Sequence, residues 1–296
     1  MMQFKMAMVL FFIYIGCVST AVASGAIPVY VSIVPQKYFV EKIGGKLVDV
    51  SVMVEPGANP ANYEPRPRQM IGLSKTIIYY AVGVPFEKTW LKKIASVNPE
   101  MLIAHTEEGI KKIPMKSHHH EEDVHDKEEE HHHGILDPHI WLSPPLVRIQ
   151  ADNILKSLIE VDPTHRPLYE TNHRNFRKEI DALDAEIREI FAEKGEGLQF
   201  MVFHPAYGYF AQAYGLTQVP VEIEGKSPKP AELGYLIKYA RKHDIRVIFV
   251  QPQFSTKKAG VIAKAIRGQI TLADPLAGNW AENLRQVAAK FKAALK

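Results

Sequence analysis

Histidine is over-represented in this 296-residue chain: thirteen are present, and seven of them fall within His118–His133. That segment also carries five glutamates and two aspartates, with Val124 and Lys127 as its other members. Clustered imidazoles and carboxylates suit borderline divalent ions, zinc above all. The segment has no apolar periodicity, so a solvated loop that binds metal loosely and in variable number is expected. Three shorter motifs are better defined. They are Asp137-Pro138-His139-Ile140-Trp141-Leu142-Ser143-Pro144, Phe203-His204-Pro205-Ala206-Tyr207 and Ala273-Asp274-Pro275-Leu276. His139, His204 and Asp274 each adjoin a proline, which stiffens the local backbone and reduces the entropy lost on binding. Two neutral imidazoles and one carboxylate form a donor set that zinc accepts. Each residue alone also has a bland reading: a satisfied histidine beside Trp141, a capping histidine before Pro205, a turn-forming aspartate.

Other chemistries fail on spacing. Gly225-Lys226-Ser227 resembles the end of a phosphate loop, but Pro220 stands where its first glycine is required. Gly195 and Gly197 follow a helical pattern, and Phe200 replaces the last glycine of a dinucleotide fingerprint. His120 and His125 are five apart, one too many for a zinc-protease helix. No Gly-x-Ser-x-Gly elbow is present.

These motifs need a frame. Short runs, most of them rich in β-branched residues, at Val29–Ile33, Val48–Val54, Thr76–Ala81 and Met101–Ala104 predict strands, with helices at Gln36–Ile43 and Phe86–Ser96. The second half repeats the arrangement. Strands are predicted at Gln199–Phe203, Gln218–Val221, Ile245–Val250 and Gln269–Leu272. Helices are predicted at Tyr207–Tyr214, Pro230–Lys242, Thr256–Ile266 and Trp280–Leu295. Such alternation predicts an α/β fold of two lobes with mostly parallel sheets. His204 and Asp274 then follow strands, where ligands bind in open α/β sheets.

Between the halves, Asp162-Pro163 predicts a capped helix start with a first-turn proline. Tyr169, His173, Phe176, Ile180, Leu183, Ile187 and Ile190 then recur at alternating steps of four and three. A helix of about 28 residues, roughly 40 Å long, follows from that stripe. It would run the height of both lobes, and His173 is read as one of its packing residues.

Residues 1–23 read as a secretory signal: Lys5, an apolar run Met6–Val18, and Ala21-Val22-Ala23 as the cleavage site. The run falls short of the about 20 apolar residues of a membrane span. Cys17 follows Tyr14-Ile15-Gly16, a poor lipidation signal, so a soluble periplasmic protein is expected rather than a lipoprotein. Cys17 is the one cysteine, which excludes a disulfide scaffold and a cysteine-based zinc finger. Net charge is +3, from 36 Lys and Arg against 33 Asp and Glu, so nothing favours nucleic acid. Beyond the signal, the expected divisions are 24–161 for the N-terminal lobe, 162–196 for the connecting helix and 197–296 for the C-terminal lobe.

The chain resembles the periplasmic metal-binding proteins of ABC importers for zinc and manganese, the ZnuA-like group. The matching stretches are Pro56-Gly57-Ala58-Asn59-Pro60 with Tyr63-Glu64-Pro65, then DPHIWLSP at 137–144 and FHPAYGYF at 203–210. EGKSPKPAEL at 224–233, IFVQPQF at 248–254 and ADPLA at 273–277 follow in family order. The resemblance implies two α/β lobes joined by one long rigid helix, with a metal cleft between them. It implies His139, His204 and Asp274 as metal ligands and Zn2+ as a transported ion rather than a catalytic cofactor. The partners it implies are an ABC permease and its cytoplasmic ATPase, with the binding protein monomeric. Histidine rather than glutamate at 204, and the His-rich segment before the DPH motif, favour zinc over manganese. One departure stands out: the family's first ligand is a histidine after the proline of a PGxxPH pattern, and here Pro60 is followed by Ala61. Water, Glu64, Asn62, His105 or a loop histidine are the substitutes. A zinc hydrolase with Glu64 as base is the enzymatic alternative, and no catalytic motif accompanies it. An adhesin or zinc chaperone is a third class, set apart from an importer component by growth on scarce zinc.

Overall fold

The structure, a computed structural model, describes residues 25–115, 135–192, 197–222 and 228–295. The expected signal 1–23 with Cys17, the His-rich segment 118–133 and the glycine stop at Gly195 lie outside the described residues.

Each half builds the same small sheet. The first is made of β1 (Ile27–Val31), β2 (Val48–Val52), β3 (Ile78–Ala81) and β4 (Leu102–His105), in the order β2-β1-β3-β4. The second is made of β5 (Leu198–Val202), β6 (Leu216–Pro220), β7 (Val247–Val250) and β8 (Gln269–Leu272), in the order β6-β5-β7-β8. Every pair is parallel; Val29, for example, faces Val50 on one side and Ile78 on the other. Parallel strands require crossovers, and helices supply them. In the first lobe these are α1 (Val34–Gly44), α2 (Pro67–Leu73) and α3 (Pro85–Val97). In the second they are α6 (Gly208–Ala213), α7 (Pro230–Lys242) and α8 (Thr256–Ala265), with α9 (Trp280–Ala294) closing the chain. The helices cover the sheets, so the central strand β3, Ile-Tyr-Tyr-Ala, is buried throughout.

The predicted strands and helices are all present, with shifted ends. Strand β1 stops at Val31 rather than Ile33 because the Gln36 side-chain oxygen accepts from the Ser32 and Ile33 amides and turns the chain into α1. Two helices lie where none was predicted: α2 and the eighteen-residue α4 (Pro144–Val161). The long helix is α5 (Arg166–Ala192), of 27 residues. It does not begin at Asp162 as predicted. A single turn of 3-10 helix, Pro163–His165, intervenes, because the Asp162 carboxylate is held by Tyr169 Oη and His165 Nδ1 at 2.7 Å each. The predicted stripe is buried through Ile187, and Phe191 completes it in place of half-buried Ile190. His173 is a packing residue; its Nε2 lies 2.7 Å from Asp152 Oδ1 on α4.

Helix α5 packs on α1 and α4 of one lobe and on α9 of the other. Phe39 of α1, Phe176 of α5 and Trp280 of α9 meet there, with the Phe39 and Trp280 rings edge-to-face at 5.1 Å. One hydrophobic core therefore runs through both lobes. Wide hinge opening would expose these aromatic faces, so the fold favours local loop movement.

Candidate metal centre

In each sheet the chain reverses its direction of winding beside the first strand, and the crevice at such a point is where open α/β sheets bind ligands. In the second lobe this point lies between β5 and β7, and His204 occupies it. Gln251, fully buried just after β7, brackets the His204 backbone: its Oε1 accepts from the His204 amide at 3.1 Å and its Nε2 donates to the carbonyl at 2.9 Å. The His204 ring stacks on Phe254 with centroids 4.9 Å apart. Its Nδ1 lies 2.9 Å from Glu222 Oε2, a buried carboxylate two residues beyond β6.

His139 is held from the other side of the cleft. Asp137 Oδ1 accepts from the His139 amide at 2.9 Å and meets the ring Nδ1 at 2.7 Å. Asp137 is itself positioned by the second lobe, since Tyr209 Oη donates to its carbonyl at 2.9 Å. Gly208 permits the approach: a methyl there would lie 2.6 Å from Asp137 Oδ2.

The two imidazoles face each other with centroids 5.2 Å apart and planes at 72°. One tetrahedral zinc at about 2.0–2.1 Å from each ring nitrogen would place two imidazole centroids roughly 5 Å apart. Each ring presents its Nδ1 to a carboxylate, which leaves Nε2 as the donor and raises its basicity. Two buried negative charges behind two neutral rings favour a divalent cation between them. Sequence reasoning missed Asp137 and Glu222 as partners. Asp137 was legible in the tight Asp-Pro-His spacing; Glu222 carries no local signal. Replacing Asp137 by Asn or Glu222 by Gln should cost about 10–100-fold in metal affinity, read by chelator competition. An unchanged affinity in both variants would show that the carboxylates do not orient the rings.

The structure brings His139 and His204 together but not Asp274 with them. Asp274 Oδ1 accepts from Gln253 Nε2 at 3.2 Å and from the Leu276 amide at 2.9 Å. Among the described residues no group of three His, Cys, Asp or Glu stands close enough to hold a metal ion. His105 lines a different pocket, between β4 and α4, and its Nδ1 lies 2.9 Å from Glu107. Ala61 lines the cleft, whereas Asn62 and Glu64 are exposed outside its wall.

Burial pushes the His204 pKa below its usual 6.5, and the nearby His139 adds to this; the Glu222 hydrogen bond, with the charges of Glu222 and Asp137, opposes it. The sign follows: His204 stays neutral to a lower pH than a free imidazole, so its lone pair is available to metal through pH 6.5. Metal affinity should therefore fall off below pH 6.5 on His204's account. Titrations at pH 7.5, 6.5 and 5.5 check this; a fall already complete at pH 6.5 would contradict it.

Comparisons with known proteins follow the same lines. A family model described as "Zinc-uptake complex component A periplasmic", or ZnuA, matches residues 29–294. The chain is 30% identical over 251 residues to the high-affinity zinc uptake system protein ZnuA of Bacillus subtilis (strain 168), covering 82% of this chain and 76% of that protein. It is 28% identical over 245 residues to the iron-binding protein YfeA of Yersinia pestis, covering 80% and 74%. A crystal structure of ZnuA superposes with a TM-score of 0.82 at 40% identity, covering 91% of this chain and 99% of the other. A zinc-bound deletion mutant of ZnuA superposes at 0.83 and 40% identity, covering 92% and 98%.

Proposed function

This chain belongs to the ZnuA family of periplasmic metal-binding components of ABC uptake systems, and from that premise we propose that it captures Zn2+ in the periplasm and delivers it to an ABC permease and its ATPase. His139 and His204 are the proposed ligands, and the observation that carries the reading is their facing geometry with both Nδ1 atoms turned onto buried carboxylates. Asp274 is the proposed third ligand. Its neighbours Gln253, Pro275 and Leu276 line the cleft, so a movement of the loop after β8 would carry its carboxylate toward the imidazoles.

Imidazole pairs favour zinc over manganese, whose preferred donors are oxygens. Iron is the second reading, since one relative is an iron-binding protein, and metal competition separates the two. The ion is cargo, so the site must also release it. The continuous core limits lobe movement, and release is proposed to come from the loops that carry His139, His204 and Asp274. The protein is proposed to act as a monomer, exported by residues 1–23 without a lipid anchor. Among the described residues no helix is long and apolar enough to cross a membrane.

The test is growth. A strain lacking this protein should stop growing when zinc is chelated and recover when zinc is added back. Recovery with iron or manganese but not zinc would assign another metal. No recovery with any divalent ion would remove the importer role.

A further inference from the structure

The cleft above the two imidazoles has a volume of about 290 Å³. That is many times the roughly 10–15 Å³ that one water needs, and close to the size of a small-molecule site. Its walls are mostly apolar, built from residues such as Val84, Met115, Ile135, Trp141, Phe254 and Leu276. A bare zinc ion uses little of this space. Waters completing its coordination would face carbon on most sides and lose hydrogen bonds.

The polar groups of the wall have a pattern of their own. Gln253 Nε2 donates to Asp274, but Gln253 Oε1 is buried with no hydrogen-bond partner among the described residues. A buried amide oxygen left over in a cavity wall asks for an N–H donor. Lys88 is the cation among the described lining residues, and no carboxylate is among those described residues. An ammonium group at the rim of an apolar cavity selects a carboxylate. The two free Nε2 atoms supply half of a tetrahedral zinc shell, and Ala61 in the opposite wall offers only a methyl group.

We propose that the cleft takes zinc as a chelate, the ion entering with one small aminocarboxylate ligand that has a nitrogen donor. With Asp274 as the third protein ligand proposed above, the ligand's nitrogen completes the four-donor zinc shell, its N–H meets Gln253 Oε1, its carboxylate meets Lys88, and its carbon body fills the apolar cavity. The idea rests on the zinc reading above and adds to it the form in which zinc is bound. L-Histidine is a fitting probe, since it carries an imidazole, an amine and a carboxylate in one small molecule.

Equilibrium dialysis of the full chain against labelled zinc and labelled L-histidine tests it. The expected result is little retention of histidine alone, and joint retention of one histidine per cleft zinc when both are present. Ala61→His, at an exposed position, should fill the cavity and supply a third protein imidazole, so that zinc is retained without histidine. Lys88→Ala should weaken histidine retention roughly tenfold or more. Cleft zinc retained by the unaltered chain with no histidine beside it when both are offered, or zinc merely stripped by histidine, would overturn the chelate while leaving zinc capture in place. Histidine retention unchanged by Ala61→His would locate the ternary complex elsewhere and also overturn it. Retention of neither ligand under any condition would remove the zinc reading itself.

Discussion

Replacing His204 by alanine should lower zinc affinity by roughly 10²–10³-fold or more. Structural zinc sites gain about 10–16 kcal/mol from four ligands, or about 2.5–4 kcal/mol from each, and each 1.4 kcal/mol is a factor of ten. The loss should lie at or above that range because the described cleft holds only two imidazoles, and alanine would also leave Glu222 buried without its ring partner. His139→Ala should behave alike, leaving Asp137, 1% exposed, without its ring partner. The readout is zinc titration against a competing chelator, in protein lacking residues 118–133 so that the His-rich segment adds no sites. His105→Ala is the control, since His105 lies outside the cleft and should leave affinity unchanged. If His204→Ala binds zinc as well as the parent in that protein, the cleft histidines are not the site and zinc is held elsewhere in the remaining chain.

The frame of this site was legible because it is written in local patterns. Runs such as Val48–Val52 sit between turn residues, and the four-three stripe from Tyr169 to Ile187 has one helical solution. Helix α4 carried a signal too, with Val147, Ala151, Ile154 and Leu158 buried at steps of four, three and four, but the polar motif before it and the two prolines that open it obscured that pattern. Asp162 misled because a carboxylate before proline is a good cap in isolation, and only the folded chain brings Tyr169 and His165 to compete for it. His139 and His204 were found through their motifs. Their partners divide by distance along the chain. Asp137 is two residues from His139 and shares its motif; Glu222 is eighteen residues from His204 and reaches it only because β5 and β6 pair. The hold that Gln253 and the Leu276 amide have on Asp274 depends on the folded loop after β8, so composition and spacing could not show it.

Trp141→Ala should destabilise the protein by about 3–5 kcal/mol and weaken zinc binding as well. The indole is 1% exposed in the shared core, 5.2 Å from the His139 ring. Its Nε1 donates to the Pro275 carbonyl at 2.7 Å, and its own carbonyl accepts from Trp280 Nε1 at 2.6 Å. These two bonds span 134 and 139 residues and join the loop bearing His139 to the loop bearing Asp274 and to the start of α9. Truncation opens a cavity and also orphans the Pro275 carbonyl. Trp141→Phe separates the two effects: most of the volume stays, the indole N–H goes, and a loss of about 1–3 kcal/mol is expected from the unpaired carbonyl. Urea midpoints at constant slope give the stability change, and the rise of each midpoint with added zinc gives the affinity change by mass action. If Trp141→Phe matches the parent in both, the indole bond does not couple the loops, and their alignment rests on packing alone. If stability falls while the zinc-dependent rise is preserved, Trp141 holds the lobes together without setting the distance between the metal donors.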